Sequence, residues 1–549
     1  MADAPLSAEA QLARERTQPL SVEYDIESPS GHVPVDSLAI PPPAAVRAYS
    51  TDTLVTGIHD QQVGNNALPT TPPTAISLAD LEKNIAGDYE LVTWLPDDPE
   101  NPHNWSSLYR WYITIVVAGM VVCVAFGSSV ITGDLSGIAN EFDVSLEVTC
   151  LTTALMVCGF ALGPLVFSPL SEMYGRRPMY FASFFLYTVF NIPCALAPNI
   201  GALLACRFIC GLFASAPLTL AGGSISDIWP IAVRGKAIAY FAAAPYAGPV
   251  LGPLVGGWVG LKCGWRWVLW VNMIFAGVMW VLGSLLPETY APVILGRRAK
   301  KMREETGSDK YVTEHELGAK SFKEALKETM VRPFVMLFVE PVLLFMSVYI
   351  AMIYAMLYAF FFAYPVVFGE THGFNDGLIG VTFVGILIGA VFAVITTPYL
   401  ERIYLRTAAK RPGGVATPED RLPGMIFACP FVPVSLFIFG WTAYPHVSWV
   451  GPAIAGIPFG YGMVLIYYAA NNYIIDSFSK YVASALAAKT VVRSGGGVGL
   501  AMATFPLYHN LGNQWASSLL GFIAIGMCAV PLIFYKWGAA IRARSKAAN

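Results

Sequence analysis

The sequence predicts an all-α polytopic membrane protein, with twelve transmembrane helices in two pseudo-symmetric six-helix bundles. Three observations carry this. The 549-residue chain is 55% hydrophobic and only 13% charged, against about 25% charged in soluble globular domains. Its apolar residues gather in runs of about twenty, long enough to cross a bilayer core as helices, which satisfy their own backbone groups there. Finally, "SPLSEMYGRR" from Ser168 returns as "TPYLERIYLR" from Thr397, with Pro169/Pro398, Glu172/Glu401 and Arg177/Arg406 in step. Each copy follows the second span of a six-span half, as expected of duplicated bundles that enclose a cavity at mid-depth.

Along the chain, residues 1–109 come first, with 16 acids against 4 bases and frequent Pro, Ser and Thr. This segment reads as a disordered acidic cytoplasmic tail. It lacks the basic start and apolar core of a signal peptide, so the first span directs insertion. "NWS" at Asn104 matches a glycosylation acceptor but falls on the cytoplasmic side. Spans then begin near residues 111, 148, 179, 202, 237 and 265, forming an N-terminal bundle over 110–290. A cytoplasmic linker, 291–332, contains the cluster "GRRAKKMR". Spans beginning near 335, 377, 424, 450, 485 and 514 form a C-terminal bundle over 333–540, and 541–549 is a second cytoplasmic tail.

Basic residues set the orientation. Arg176, Arg177, Arg234 and Lys236 occupy the even loops of the first half. Arg402, Arg406, Lys410, Arg411 and Arg421 lie between spans 8 and 9, and Arg542, Arg544 and Lys546 at the C-terminus. The loop after span 1 holds Asp134, Glu141, Asp143 and Glu147 with no Lys or Arg; Lys262 and Arg266 are the exceptions to the pattern. Both termini are therefore expected in the cytoplasm of a multi-pass cell-membrane protein, with the vacuolar membrane as the other candidate.

Several function classes are disfavoured. The nine cysteines lie mostly within spans, and Cys206 and Cys210, though on one helix face, read as packing rather than metal ligands. The seven histidines fall in the tail, in loops or near span ends, which leaves little for a catalytic site. No phosphate-binding glycine loop supports ATP-driven pumping. No enzyme activity, metal, cofactor or nucleic-acid partner is expected.

The charged turn at 168–178 resembles the loop 2–3 signature of the major facilitator superfamily, Gly-x-Leu-x-Asp-Arg-x-Gly-Arg-Arg. Ser168 replaces its first glycine, Glu172 its aspartate and Met173 its first basic residue. The resemblance implies that Glu172, Gly175, Arg176, Arg177 and Arg234 form a charged gate that latches the two halves on the cytoplasmic side. Glu172, at a helix C-terminus, opposes the macrodipole and needs a cation, with Arg176, Arg177 and Arg234 as candidates. In span 5, "YAGPVLGPLVGG" places Gly248, Gly252 and Gly256 four apart, with Pro249, Pro253 and Gly257. Small residues at that spacing make a flat face for close helix contact, and the run resembles the motif of proton-antiport exporters. "LLACRFICGLFASAP" resembles a motif centred on an intramembrane arginine, here Arg207. With "DDPENPHNW", "SDIWPIAVRGKA", "LPETY" and "SALAAKTVVRS", the chain from about 95 to 540 resembles the fungal twelve-span drug:proton antiporters. Pro287-Glu288-Thr289-Tyr290 departs from the pattern of sugar porters.

Candidate substrate residues come from polar positions at mid-span in spans 7 and 10 and at the inner end of span 11. Tyr354 and Tyr358 share a face of span 7, Tyr467 and Asn471 a face of span 10, and Lys489 and Arg493 a face of span 11. Tyr and Asn on apolar walls suit a moderately hydrophobic organic solute, although each ring alone also fits plain packing. Two stacked cations repel, so snorkelling or acidic partners such as Glu340 and Asp476 are expected, and an anionic, carboxylate-bearing substrate is admitted. For proton coupling the candidates are Asp134, Arg207, Glu340 and Asp476. Asp134 could meet Arg207 on the outer side, or stay solvated while Arg207 bonds to backbone and hydroxyls. The expected activity is proton-coupled export of drugs, toxins or secondary metabolites by a monomer in contact with membrane lipids. The alternatives are import or facilitation of polyamines or another nutrient, and a non-transporting sensor.

Overall fold

Apolar runs become helices, and the polar breaks between them become turns. The computed structural model describes residues 89–230, 243–318, 322–410, 417–478 and 481–543, with isolated positions between 231 and 242 and Ser545. The first half comprises α1 (Ser107–Ser129), α2 (Leu146–Tyr174), α3 (Arg176–Ala195), α4 (Ile200–Ile228), α5 (Ala244–Cys263) and α6 (Trp265–Ser284). The second comprises α7 (Pro341–Tyr364), α8 (Val384–Ala409), α9 (Phe431–Thr442), α10 (Gly456–Ser477) and a last helical pair. That pair, Val482–Met527, breaks at Gly512. α11 occupies 482–511, and α12 runs from 513 through Ala529–Arg542. The chain reverses there, since the Tyr508 and Ser517 hydroxyls lie 3.0 Å apart. Among the described residues nine segments are apolar and long enough to cross a membrane on composition alone, the α11–α12 pair counting as one. α3, which opens on two arginines, and α5, rich in glycine and proline, complete the twelve.

Three reversals rest on one glycine each. Gly175 between α2 and α3 has φ 100 and ψ 169, Gly264 between α5 and α6 φ 83 and ψ 165, and Gly512 φ 77 and ψ 161. Residues with a Cβ scarcely enter that region. Gly264 and Gly512 hold corresponding places in the two halves, so the duplication is visible in the backbone as well as in the 168/397 repeat.

Glycine also sets how closely the helices pack. A Cβ on Gly159 of α2 would lie 2.4 Å from Leu212 N, and one on Gly211 of α4 2.1 Å from Met156 O. The corresponding pair repeats this: Gly389 of α8 would meet Ile457 O at 2.0 Å, and Gly460 of α10 would meet Ile386 O at 2.1 Å. On α5, Gly248, Gly252 and Gly256 face α1 and the 3₁₀ turn that follows it, with Val122 O, Ser129 Oγ and Val130 O within 2.5 Å of the built Cβ positions. Gly257 faces the other half, 2.3 Å from Asp376 O, and Gly380 lies as close, 2.2 Å, to Pro253 O. The two halves thus touch backbone to backbone at the end that carries Asp134 and Asp376, opposite the basic loops. Pro249 and Pro253 sit inside α5 without ending it.

The expected boundary of the acidic tail is corrected. Residues 1–88, and with them most of that segment, lie outside the described residues, as does Arg234. From residue 89 the chain is built onto the linker. Strand β1 (Glu90–Leu91) pairs in parallel with β2 (Tyr311–Val312). The helix Ala291–Thr306 presents Arg298, which donates to Asp98 Oδ2 at 2.6 Å, Asp98 Oδ1 at 3.0 Å and Glu100 Oε2 at 2.5 Å. These bonds hold the Asp98 carboxyl below its usual range. A bidentate guanidinium pair on a buried carboxylate is enough to order a segment whose composition alone reads as unstructured.

Three outcomes are expected. Arg298→Gln should raise the rate of chymotrypsin cleavage at Trp94 about tenfold, the equivalent of one charge-assisted bond; an unchanged rate would mean the segment is held elsewhere. Because the Asp98 carboxyl titrates below the ordinary carboxylate range, its contribution is complete above that range and fades only as pH falls through the lowered value. Cleavage of the unmodified protein, taken relative to a peptide carrying the same site so that the protease's own pH dependence cancels, should therefore be flat between pH 5 and 8. Gly252→Leu should force α5 off α1, at a cost of about 1–3 kcal/mol, read as a lower melting temperature in detergent; an unchanged melting temperature would contradict the contact.

Candidate functional site

Three helices of the second half each carry polar residues four apart, and four residues turn an α-helix by little more than one full circle. Tyr354 and Tyr358 of α7, Tyr467 and Asn471 of α10, and Lys489 and Arg493 of α11 therefore form three stacked pairs, and the fold points all three at one place. Lys489 Nζ donates to Asn471 Oδ1 at 2.6 Å and lies 5.1 Å from the centre of the Tyr467 ring. The Arg493 guanidinium stands over the Tyr354 ring at 4.5 Å. Tyr354 Oη donates to Tyr358 Oη at 3.1 Å, and Tyr358 Oη is 2.9 Å from Ser128 Oγ.

The first half closes this centre with two residues that sequence reasoning passed over. Ser128 comes from α1. Tyr246, from the start of α5, sets its ring edge-on to Tyr467 at 5.0 Å. Tyr246 opens the glycine run and, lying two residues before Gly248, points off the face buried on α1, a signal that the glycines obscured. Nothing in the sequence distinguishes Ser128.

Lys489 is 5% exposed and Arg493 4%, so neither snorkels. The expected acidic partners are also elsewhere. Asp476 ends α10 and accepts from Arg421 Nε at 3.1 Å. Glu340 precedes α7 and accepts from the Ser545 hydroxyl. Among the described residues no carboxylate pairs with Lys489 or Arg493, and Arg493 Nε has no hydrogen-bond partner. The compensation is aromatic faces and amide oxygen, which polarise toward a cation without neutralising it.

Arg207 solves the same problem differently. Fully buried on α4, its Nε donates to Thr152 O at 3.0 Å and its Nη2 to Gly127 O at 2.9 Å. The change from α-helix to 3₁₀ turn at Val130–Asp134 leaves carbonyls at the end of α1 open to it. Asp134 instead caps the next helix, accepting from Gly137 N at 2.9 Å. Of the two readings, the Asp134–Arg207 pair is not made, and Arg207 binds α1 and α2 to α4 through backbone.

At the basic end each half carries an arginine cluster. Arg176 Nη1 donates to Ser171 Oγ at 2.7 Å and pairs with Asp227 at 3.4 Å, over the Tyr290 ring at 4.8 Å. Glu288 accepts from the backbone N–H of Arg176 at 2.8 Å and of Arg177 at 3.2 Å, and it occupies the space a Cβ on Gly175 would need. In the second half Arg421 pairs with Glu401 at 2.7 Å and with Asp476 at 3.1 Å, over Tyr404 at 3.5 Å. Glu172 makes no ion pair among the described residues. It is one position on from Ser171, about 100° around the helix, so the bonds go to Asp227 and Glu288, and Arg177 keeps its side chain exposed. Each of these pairs lies within one half rather than across the two.

Two six-helix halves that meet around a buried polar centre, each braced at one end by an arginine cluster, have the architecture of a membrane transporter. The chain belongs to the Major Facilitator Superfamily, whose family model matches residues 117–501, and within it to the fungal drug and polyamine transporter group. It is 46% identical over 535 residues to polyamine transporter 3 of Saccharomyces cerevisiae, covering 95% of this chain and 84% of that one. It is 42% identical over 459 residues to the multidrug transporter mdrA of Aspergillus fumigatus, covering 83% and 75%. Among solved structures it resembles the proton:xylose symporter XylE at a TM-score of 0.57 and 16% identity, covering 79% of this chain and 96% of that one, a likeness of fold.

If Asp134 and Arg207 act apart, the stability changes of Asp134→Asn and Arg207→Gln should add to within about 0.5 kcal/mol in the double variant. A larger coupling, read by thermal unfolding in detergent, would restore the pair.

Proposed function

We propose that the protein exports small organic compounds across the cell membrane in exchange for protons, binding them at the centre where α1, α5, α7, α10 and α11 converge. The observation that carries this reading is the composition of that centre: both halves contribute side chains to it, so rocking one half against the other changes its access. The basic loops lie on the cytoplasmic side in this reading, the halves are closed on the outer side by the Gly257–Asp376 and Gly380–Pro253 contacts, and the monomer is sufficient. The α5 glycine–proline run, similar to that of proton-antiport exporters, supports exchange over facilitation.

Uptake of polyamines is the second reading; the name of the Saccharomyces relative supports polyamines as the substrate. It is weakened by Lys489 and Arg493, since a polycation would be repelled where they stand. A comparison of all metabolites outside cells with and without the protein separates the two. Export predicts compounds that accumulate outside only when the protein is present, and that stop accumulating when a protonophore collapses the gradient. Depletion of polyamines from the medium would establish uptake instead.

The arginine clusters serve, in this reading, to keep each half rigid as it moves. Arg176→Ala and Arg421→Ala should leave surface abundance unchanged and lower export about tenfold or more, a loss on the scale of a broken charge-assisted bond. Normal export at normal abundance would reduce both clusters to topological signals.

A further inference from the structure

Among the described residues the centre holds two cations and no acid. A lysine or arginine placed in the middle of a spanning helix costs stability and persists where it meets a partner or serves a ligand. Here Lys489 and Arg493 stand one turn apart on the same face of α11, so each also raises the cost of the other. Asn471 fixes the lysine, the Tyr354 ring supports the guanidinium from one side, and Arg493 Nε, buried, donates to nothing among the described residues. An arrangement that orients two positive charges and leaves donor capacity unused is complementary to an anion with two acceptor oxygens, the geometry a guanidinium reads best.

We infer that this centre binds the carboxylate of an organic anion between Lys489 and Arg493, with the apolar body of the molecule against the aromatic rings of Tyr246, Tyr354 and Tyr467. The inference rests on the export reading above and names the substrate class for it. An inside-negative membrane potential drives an anion outward and opposes the exit of a cation, so the class also agrees with the direction.

The test uses three probes of one shape and different charge, benzoate, benzamide and benzylamine, bound as radiolabelled ligands to the purified full-length protein at pH 7.5. Benzoate should bind about tenfold more tightly than benzamide, the scale of one charge-assisted contact, and benzylamine should not compete with it. Lys489→Gln and Arg493→Gln should each remove that preference, and Arg493→Lys should keep part of it. Because the wild-type charge series stands by itself, a variant that fails to fold does not remove the test. Equal binding of benzoate and benzamide, or tighter binding of benzylamine, overturns the inference. Proteoliposomes with an imposed pH gradient separate it from the reading beneath it. If benzamide or benzylamine moves with the gradient and benzoate does not, transport stands and the anion site is overturned. If none of the three binds or moves, the anion site is overturned, and export is judged on the extracellular metabolite comparison alone.

Discussion

Helices in a bilayer gain little by hiding apolar surface from one another, because lipid chains are as apolar as leucine, and what holds them is close backbone contact. That constraint organises this protein. α2 meets α4 through Gly159 and Gly211, α8 meets α10 through Gly389 and Gly460, and α5 lies on α1 through Gly248, Gly252 and Gly256. The same type of contact, Gly257 and Gly380 against opposing backbone, joins the two halves at one end. Contacts made of backbone and small residues have little side-chain volume to repack. They fit a design in which halves keep their shape and meet in a few discrete ways.

Charge is distributed around this scaffold by depth. At the basic end Arg176 pairs with Asp227, Arg421 with Glu401 and Asp476, and Arg298 with Asp98 and Glu100. Toward the middle the cations have no carboxylate partner among the described residues. Arg207 is met by backbone carbonyls, and Lys489 and Arg493 by an amide and aromatic faces. The contrast separates charges that brace the fold from charges held in reserve. Arg207 donates to carbonyls of two other helices while its Nη1 stays unpartnered, and Arg493 stands over the Tyr354 ring inside the centre with its Nε unpartnered.

Much of this was legible in the sequence because helical periodicity is short-range. Residues four apart share a face whatever the rest of the chain does, so Tyr354/Tyr358, Tyr467/Asn471 and Lys489/Arg493 could be paired from spacing alone, and the glycine face of α5 likewise. What spacing does not carry is how far each helix is rotated or shifted against its neighbours. The missed residues Ser128 and Tyr246, and the mistaken partners of Glu172, Asp134, Glu340 and Asp476, all turn on that.

The sequence by itself determined the class of fold, the number of spans, the duplication and the small residues at which helices would approach. These follow from hydropathy, helix period and the steric demands of glycine, all local properties. Only the tertiary structure decided that three separate helix faces converge on one centre and that no carboxylate joins the two cations there. It also decided that Asp227 and Glu288 take the place expected of Glu172, and that residues 89–105 dock on the linker through Arg298. Each of these depends on contacts between residues far apart in the chain, set by the relative rotation of packed helices, and a rotation of about 100° per residue sends a neighbouring side chain to a different partner.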